Sequence, residues 1–233
     1  AEQLTWAPLP ATAEEGQTIK AITGGTLLVQ GKATAEAVKR TPAPKLLHLA
    51  THAFYLPNQP QQQPNSGGQM FDQSGSSGAV RTNSLQGESP LLRSGIALAG
   101  ANQPTANPND DGYLTALEVA QLSWEGTDLV VISACESGLG DLQVGEGVYG
   151  LKRAIAVAGA RSSLLSLWKV DDVATKVFME SFYGRLKQGQ GRAEALANTQ
   201  KEFRESPDRT AYRRPYYWAA FQLSGDWRPM KGI

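Results

Sequence analysis

The sequence predicts an α/β domain, a mostly parallel β-sheet flanked by helices on both faces. Three observations predict it. Residues 128–134 are an unbroken, β-branched run of the kind that parallel sheets bury on both faces. Strand-like runs alternate along the chain with segments whose apolar residues recur at helical spacing. Single helices sit between short β-rich runs, an order that demands a crossover and hence parallel pairing.

In chain order, residues 11–22 read as a short helix stopped by Gly24-Gly25, and Thr26-Leu27-Leu28-Val29 as a β-rich run. Residues 33–40 are helical again, Pro42 and Pro44 punctuate, and residues 45–50 make a compact apolar strand, completing a βαβ unit. Residues 58–90 differ in kind. They are rich in Gln, Pro, Ser, Gly and Asn, have little to bury, and read as a flexible loop insertion. Structure resumes at Pro90-Leu91-Leu92 and Ile96-Ala97-Leu98 and breaks again over the Asn/Pro-rich residues 102–112. Thr115 and Glu118 have the spacing of a capping box and open a short helix ending near Leu122. The strand 128–134 should be central. A glycine-rich turn at 138–147 leads into a helix over 148–158, and residues 163–168 form the next strand. Val177, Phe178, Phe182 and Leu186 keep helical spacing, residues 193–203 make a further amphipathic helix, and residues 217–223 close the sheet.

Composition narrows the function classes. The 233 residues suit a single domain, and 22 Lys plus Arg balance 22 Asp plus Glu. With no basic excess to neutralise phosphates, nucleic acid is not an expected partner. No apolar run approaches the roughly 18 residues of a membrane span, so no membrane partner is expected either. The single cysteine, Cys135, has no partner for an internal disulfide and fits a reducing, cytoplasmic setting or a working thiol. The chain opens on Ala1 and reads as a piece of something longer.

The chemistry-bearing candidates are few. In open α/β sheets, ligands bind beyond the carboxyl ends of the strands. His52 lies just past the strand 45–50 and Cys135 just past 128–134, so parallel neighbours would deliver an imidazole and a thiol to one edge. An imidazole that takes the thiol proton yields a nucleophile for acyl transfer, and N–H groups of the adjoining turns would receive the oxyanion. By residue type alone, a solitary cysteine ending an apolar strand is more often a small core hydrophobe, and that reading stands beside the nucleophilic one. Other patterns fail. His48 and His52 are four apart, but Leu49 stands where a zinc-protease helix needs Glu, and His48 reads as a structural histidine. Gly138-Leu139-Gly140 lacks the third glycine of a dinucleotide turn, which Gln143 replaces, and Glu146 replaces the lysine of a phosphate loop.

Four blocks together resemble the CHAT domain, the caspase-like domain found with tetratricopeptide repeats. They are His48-Leu49-Ala50-Thr51-His52, Ser133-Ala134-Cys135-Glu136-Ser137-Gly138-Leu139-Gly140, Ser166-Leu167-Trp168-Lys169-Val170-Asp171-Asp172 and Tyr216-Tyr217-Trp218-Ala219-Ala220-Phe221. The resemblance implies a caspase-like fold and a cysteine endopeptidase with His52 and Cys135 as catalytic dyad. It also implies an oxyanion hole at the backbone of Ala53 and Cys135, a protein or peptide substrate, and no metal or organic cofactor. A tetratricopeptide-repeat region or regulatory protein is a further expected partner. Where the family usually has glycine after the histidine, this chain has Ala53, whose Cβ would hinder a strained backbone. In separase-like relatives an aspartate near this place receives a basic P1 side chain, which makes Asp172 and Asp171 the candidates, one of them also suited to cap the following helix. Trp168, Glu136 and Asp141 are further candidates for the substrate pocket, and Arg81 for self-processing. The alternative is an inactive caspase-like module that binds partners or scaffolds an assembly.

Overall fold

The computed structural model describes residues 5–55, 90–103, 110–136 and 144–233. Helix α1, Pro10–Thr23, begins on a proline, whose missing N–H is no loss in a first turn, and ends where Gly24 adopts left-handed backbone with φ 73°. The strand expected over residues 26–29 does not form. Leu28 and Val29 are 44% and 38% exposed, and the chain passes into a 3-10 turn, Gln30–Lys32. Leu27 folds back onto α1 instead, so closely that a Cβ on Gly16 would lie 2.7 Å from its Cδ1. The first expected βαβ unit is therefore absent. Helix α2, Ala35–Arg40, capped by the Thr34 side chain accepting from the Ala37 N–H, feeds strand β1, Leu46–Tyr55.

Strand β1 runs on past residue 50 because residues 52–55 pair with 94–97, and Phe54 and Tyr55 are buried. The expected loop at 58–90 lies outside the described residues apart from Pro90, which opens the short helix α3, Pro90–Arg93. Strands β2, Ser94–Ala97, and β3, Tyr113–Thr115, lead to helix α4, Ala116–Ala120, with a complete Thr115–Glu118 capping box. Strand β4, Leu129–Glu136, helix α5, Val144–Val157, strand β5, Ser162–Ser166, and helices α6, Asp172–Lys187, and α7, Arg192–Glu205, follow. The last expected strand begins later than its apolar run suggests. Pro215 opens a helical turn, α8 at Pro215–Trp218, and strand β6 spans Phe221–Gly225.

The six strands form one sheet in the order β3-β2-β1-β4-β5-β6. Strand β4 is central and parallel to both β1 and β5, while β2, β3 and β6 add antiparallel edges. Leu129, Val130, Val131 and Ile132 are all at most 3% exposed, as a strand covered on both faces requires. Alternate residues serve opposite cores. Leu129 and Val131 meet Phe178, Met179 and Phe182 of α6 together with Ile19 of α1. Val130, Ile132 and Ala134 meet Leu151, Ala154 and Ile155 of α5 together with Val119 of α4. Among the described residues no helix is long and apolar enough to cross a membrane.

Candidate active site

Parallel pairing of β1 and β4 sets His52 opposite Cys135 as register partners, with Ala50 opposite Ser133 one alternation earlier. Both positions lie within the last turns of the ladder at the carboxyl ends of their strands, not in loops beyond them as the sequence suggested. His48 and Ser133 face α1 and α6, where their side chains hydrogen-bond. The two-residue alternation of a strand puts positions 52 and 135 on that same face.

The N-terminal segment fixes the imidazole. His52 Nε2 lies 2.7 Å from the Ala7 carbonyl oxygen. A carbonyl only accepts, so Nε2 carries the proton, and Nδ1 is the basic nitrogen of the neutral ring. The Trp6 ring packs against the imidazole with centroids 5.3 Å apart. Trp6 is itself held twice. Its N–H donates to Asn102 Oδ1 at 2.8 Å while Asn102 Nδ2 donates to its carbonyl at 2.9 Å, and its indole N–H donates to Tyr113 Oη at 3.1 Å. The Tyr113 hydroxyl passes the chain on to the Ala101 carbonyl. Burial pushes the Tyr113 phenol up, outweighing the indole hydrogen bond, and Asp111 adds to the rise, so the hydroxyl keeps the proton it donates. The turn carrying Ala101 and Asn102 closes against Gly112 at φ 78°, where a Cβ would lie 2.0 Å from the Ala101 nitrogen.

Ala53, the departure from the family pattern, sits in the ladder between Ile96 of β2 and Glu136 of β4. Among the described residues the only non-glycine with positive φ is Gln30, so Ala53 has backbone that tolerates a Cβ, and the expected hindrance does not arise.

A narrow acidic crevice, with a volume of only about 10 Å³, lies between α1, α6 and the ends of β4 and β5. Thr12, Glu15, Ser133, Ser166, Asp172 and Thr175 line it. The two aspartates divide their tasks. Asp171 caps α6 by accepting from the Ala174 N–H at 3.0 Å, whereas Asp172 begins the helix and faces the cleft. Trp168, a candidate to wall a substrate groove, is half-buried against the α6 core, its indole N–H donating to the Tyr216 carbonyl at 3.0 Å. Glu136 ends β4; Asp141 and Arg81 lie outside the described residues.

The floor of the cleft is a buried polar network. Glu15 is 3% exposed; its Oε1 accepts from Ser133 Oγ at 2.8 Å and lies 3.0 Å from His48 Nε2, while His48 Nδ1 lies 3.0 Å from Tyr183 Oη. Burial, then the Glu15 charge, drives the Tyr183 phenol well up. The assignment satisfying every group has the Tyr183 hydroxyl donating to Nδ1 and the Nε2–H donating to Glu15. His48 is thus the structural histidine, joining β1 to α1 and α6. Sequence reading missed Glu15, although a clue was present: a carboxylate shares a helical stripe with Ile19 and Ile22, the apolar face of α1. Trp6, Ala7 and Asn102 carried no comparable signal. Among the described residues no cluster of three or more His, Cys, Asp or Glu is placed to hold a metal.

A strand-end histidine and cysteine on a central parallel pair, with an acidic cleft beside them, define a caspase-like α/β domain. The chain belongs to the CHAT domain family, whose model matches residues 1–226. Tetratricopeptide repeat protein 28 of Homo sapiens is 30% identical over 223 residues, covering 94% of this chain and 8% of its own length. The Mus musculus protein of the same name is 28% identical over 223 residues, covering 94% of this chain and 9% of its own length. The chain therefore spans less than a tenth of the curated relatives it matches. CHAT domains occur together with tetratricopeptide repeats, as the name of these relatives records.

Proposed function

We propose that this CHAT domain is a cysteine endopeptidase that cleaves protein substrates after a basic residue. The observation that carries the reading is the register pairing of His52 with Cys135 at the carboxyl ends of adjacent parallel strands. His52 takes the thiol proton at Nδ1, while Nε2–H stays on the Ala7 carbonyl and holds the ring in that tautomer. The thiolate adds to the scissile carbonyl carbon. The backbone N–H groups of Ala53 and Cys135 are the candidates to receive the oxyanion. Collapse breaks the C–N bond, the imidazolium gives its proton to the departing nitrogen, and a thioester remains on sulfur. Water then adds to the thioester with His52 accepting its proton; the C–S bond breaks, releasing the carboxylic acid and restoring the thiol. A thiol at work in this way suits a reducing, cytoplasmic setting.

The charge of the acidic crevice, not its size, supports the choice of substrate. Asp172 stands at its edge and Glu15 at its floor, with the hydroxyls of Thr12, Ser133, Ser166 and Thr175 between. The pocket has a volume of only about 10 Å³, so an Arg or Lys side chain would reach these carboxylate acceptors only if α1 and α6 parted to admit it. The test is direct. The chain should cleave peptides with Arg or Lys at P1, and Cys135→Ala should abolish cleavage while keeping the thermal transition. Full proteolysis by Cys135→Ala would remove the mechanism, and indifference to the P1 charge would remove the acidic-pocket reading.

A further inference from the structure

On the other side of His52 lies a groove that the mechanism so far does not use. It has a volume of about 460 Å³ and runs between the segment Trp6 to Leu9 and the turn that follows β2, with Thr51 and His52 of β1 in its bed. That volume falls within the range of roughly 300–1,000 Å³ typical of ligand clefts.

We propose that this groove binds the leaving half of the substrate and selects uncharged, apolar residues immediately after the scissile bond. The inference rests on the Cys135–His52 reading and extends it. Peptide cleavage requires the imidazolium to protonate the departing nitrogen, so the residue bearing that nitrogen must lie against His52. The acidic cleft is over β4 and β5, whereas the groove is over β1 and β2. A chain with its carbonyl at Cys135 and its departing nitrogen at His52 therefore continues over β1 into the groove. The walls set the preference. Trp6, Pro8, Leu98 and Ala99 offer apolar surface, Asn102 an amide, and none of the described residues lining the groove is Asp, Glu, Lys or Arg. A charged side chain there would lose water and gain no counter-ion. Asn102 braces the wall as well, through its paired hydrogen bonds to Trp6.

The experiment uses internally quenched peptides with Arg before the scissile bond and Leu, Ala, Glu or Lys after it, beside an arginyl aminomethylcoumarin substrate that has no residue on the leaving side. The expected result is kcat/KM about tenfold higher for Leu and Ala than for Glu and Lys, the scale of discrimination one pocket supplies. Ala99→Glu should raise the Lys-to-Glu ratio by about tenfold, and Ala99→Lys should lower it as much, by charge-assisted pairing. If the coumarin substrate is cleaved while all four peptides react alike in all three proteins, the groove assignment is overturned and the Cys–His reading survives. If no substrate of either kind is cleaved, both fall together.

Discussion

Asn102 holds Trp6 by both of its backbone groups, accepting from its N–H at 2.8 Å and donating to its carbonyl at 2.9 Å. The next carbonyl, that of Ala7, is the acceptor for His52 Nε2. A turn following β2 thus orients the imidazole at one remove, which makes Asn102 a positioning residue. Asn102→Ala should lower stability by about 1–2 kcal/mol for the two hydrogen bonds lost. It should also lower kcat toward an arginyl coumarin substrate more than it changes KM. A stability loss with kcat unchanged would show that the brace has no bearing on the histidine.

The two neighbouring aspartates should separate by experiment. Asp171→Ala removes an N-cap and should cost about 1 kcal/mol, read from the urea midpoint, with the P1 preference retained. Asp172→Asn leaves the cap in place. It should lower kcat/KM for arginyl substrates by roughly ten- to a hundredfold, the value of a hydrogen bond to a charged group. Equal effects of the two on both measurements would refute the division of roles.

Glu202 gives a pH dependence with a defined sign. Burial raises its carboxyl pKa, but hydrogen bonds from the Ser181 hydroxyl and from Arg185 and Arg209 outweigh that and hold it below the usual 4.5. The ionised form is favoured by folding, so its stabilisation is fully present above pH 4.5 and is lost as pH falls through the lowered folded value. Glu202→Gln should therefore be less stable than the parent near neutrality by about 1 kcal/mol, and the gap should close on acidification below pH 4.5. Urea midpoints taken from pH 7 to pH 3 check this; a gap constant over the range would mean the pairs joining α6 to α7 contribute nothing.

The core on the α6 face depends on a cluster of three phenylalanines. Phe178 is fully buried, parallel to Phe221 at 4.2 Å between centroids and edge-on to Phe203 at 5.2 Å. Phe178→Ala should cost about 3–5 kcal/mol in chemical unfolding, because α6, α7 and β6 cannot all close on the cavity. A loss below about 1 kcal/mol would mean that this junction collapses freely, contrary to a close-packed core.

What the sequence revealed, and what it concealed, follows from where each signal is local. Residues 128–134 announce a buried strand because every side chain after Asp128 is apolar or small, and Thr115 with Glu118 announces a capped helix because both partners lie within one turn. Residues 26–29 have the same β-rich appearance, yet they find no partner strand, since Leu27 packs on Gly16; propensity yields there to a contact between elements. The run 217–223 was divided by Pro215, whose helical turn takes residues that strand propensity would assign to β6. At the site, His52 and Cys135 were legible as strand-end residues of the right chemistry. Trp6, Ala7 and Asn102 were not, because a carbonyl and an exposed amide act here through geometry that only the folded chain creates.

The most direct test is labelling with a peptidyl-arginine acyloxymethyl ketone followed by mass spectrometry of the intact chain. A thiol activated by a neighbouring imidazole should form one adduct, at Cys135, and His52→Ala should slow its formation by at least about a hundredfold, within the range attributed to a positioned acid or base. Labelling no faster than that of a free thiol, or equally fast in the parent and in His52→Ala, would contradict the dyad and leave a caspase-like domain whose work is binding.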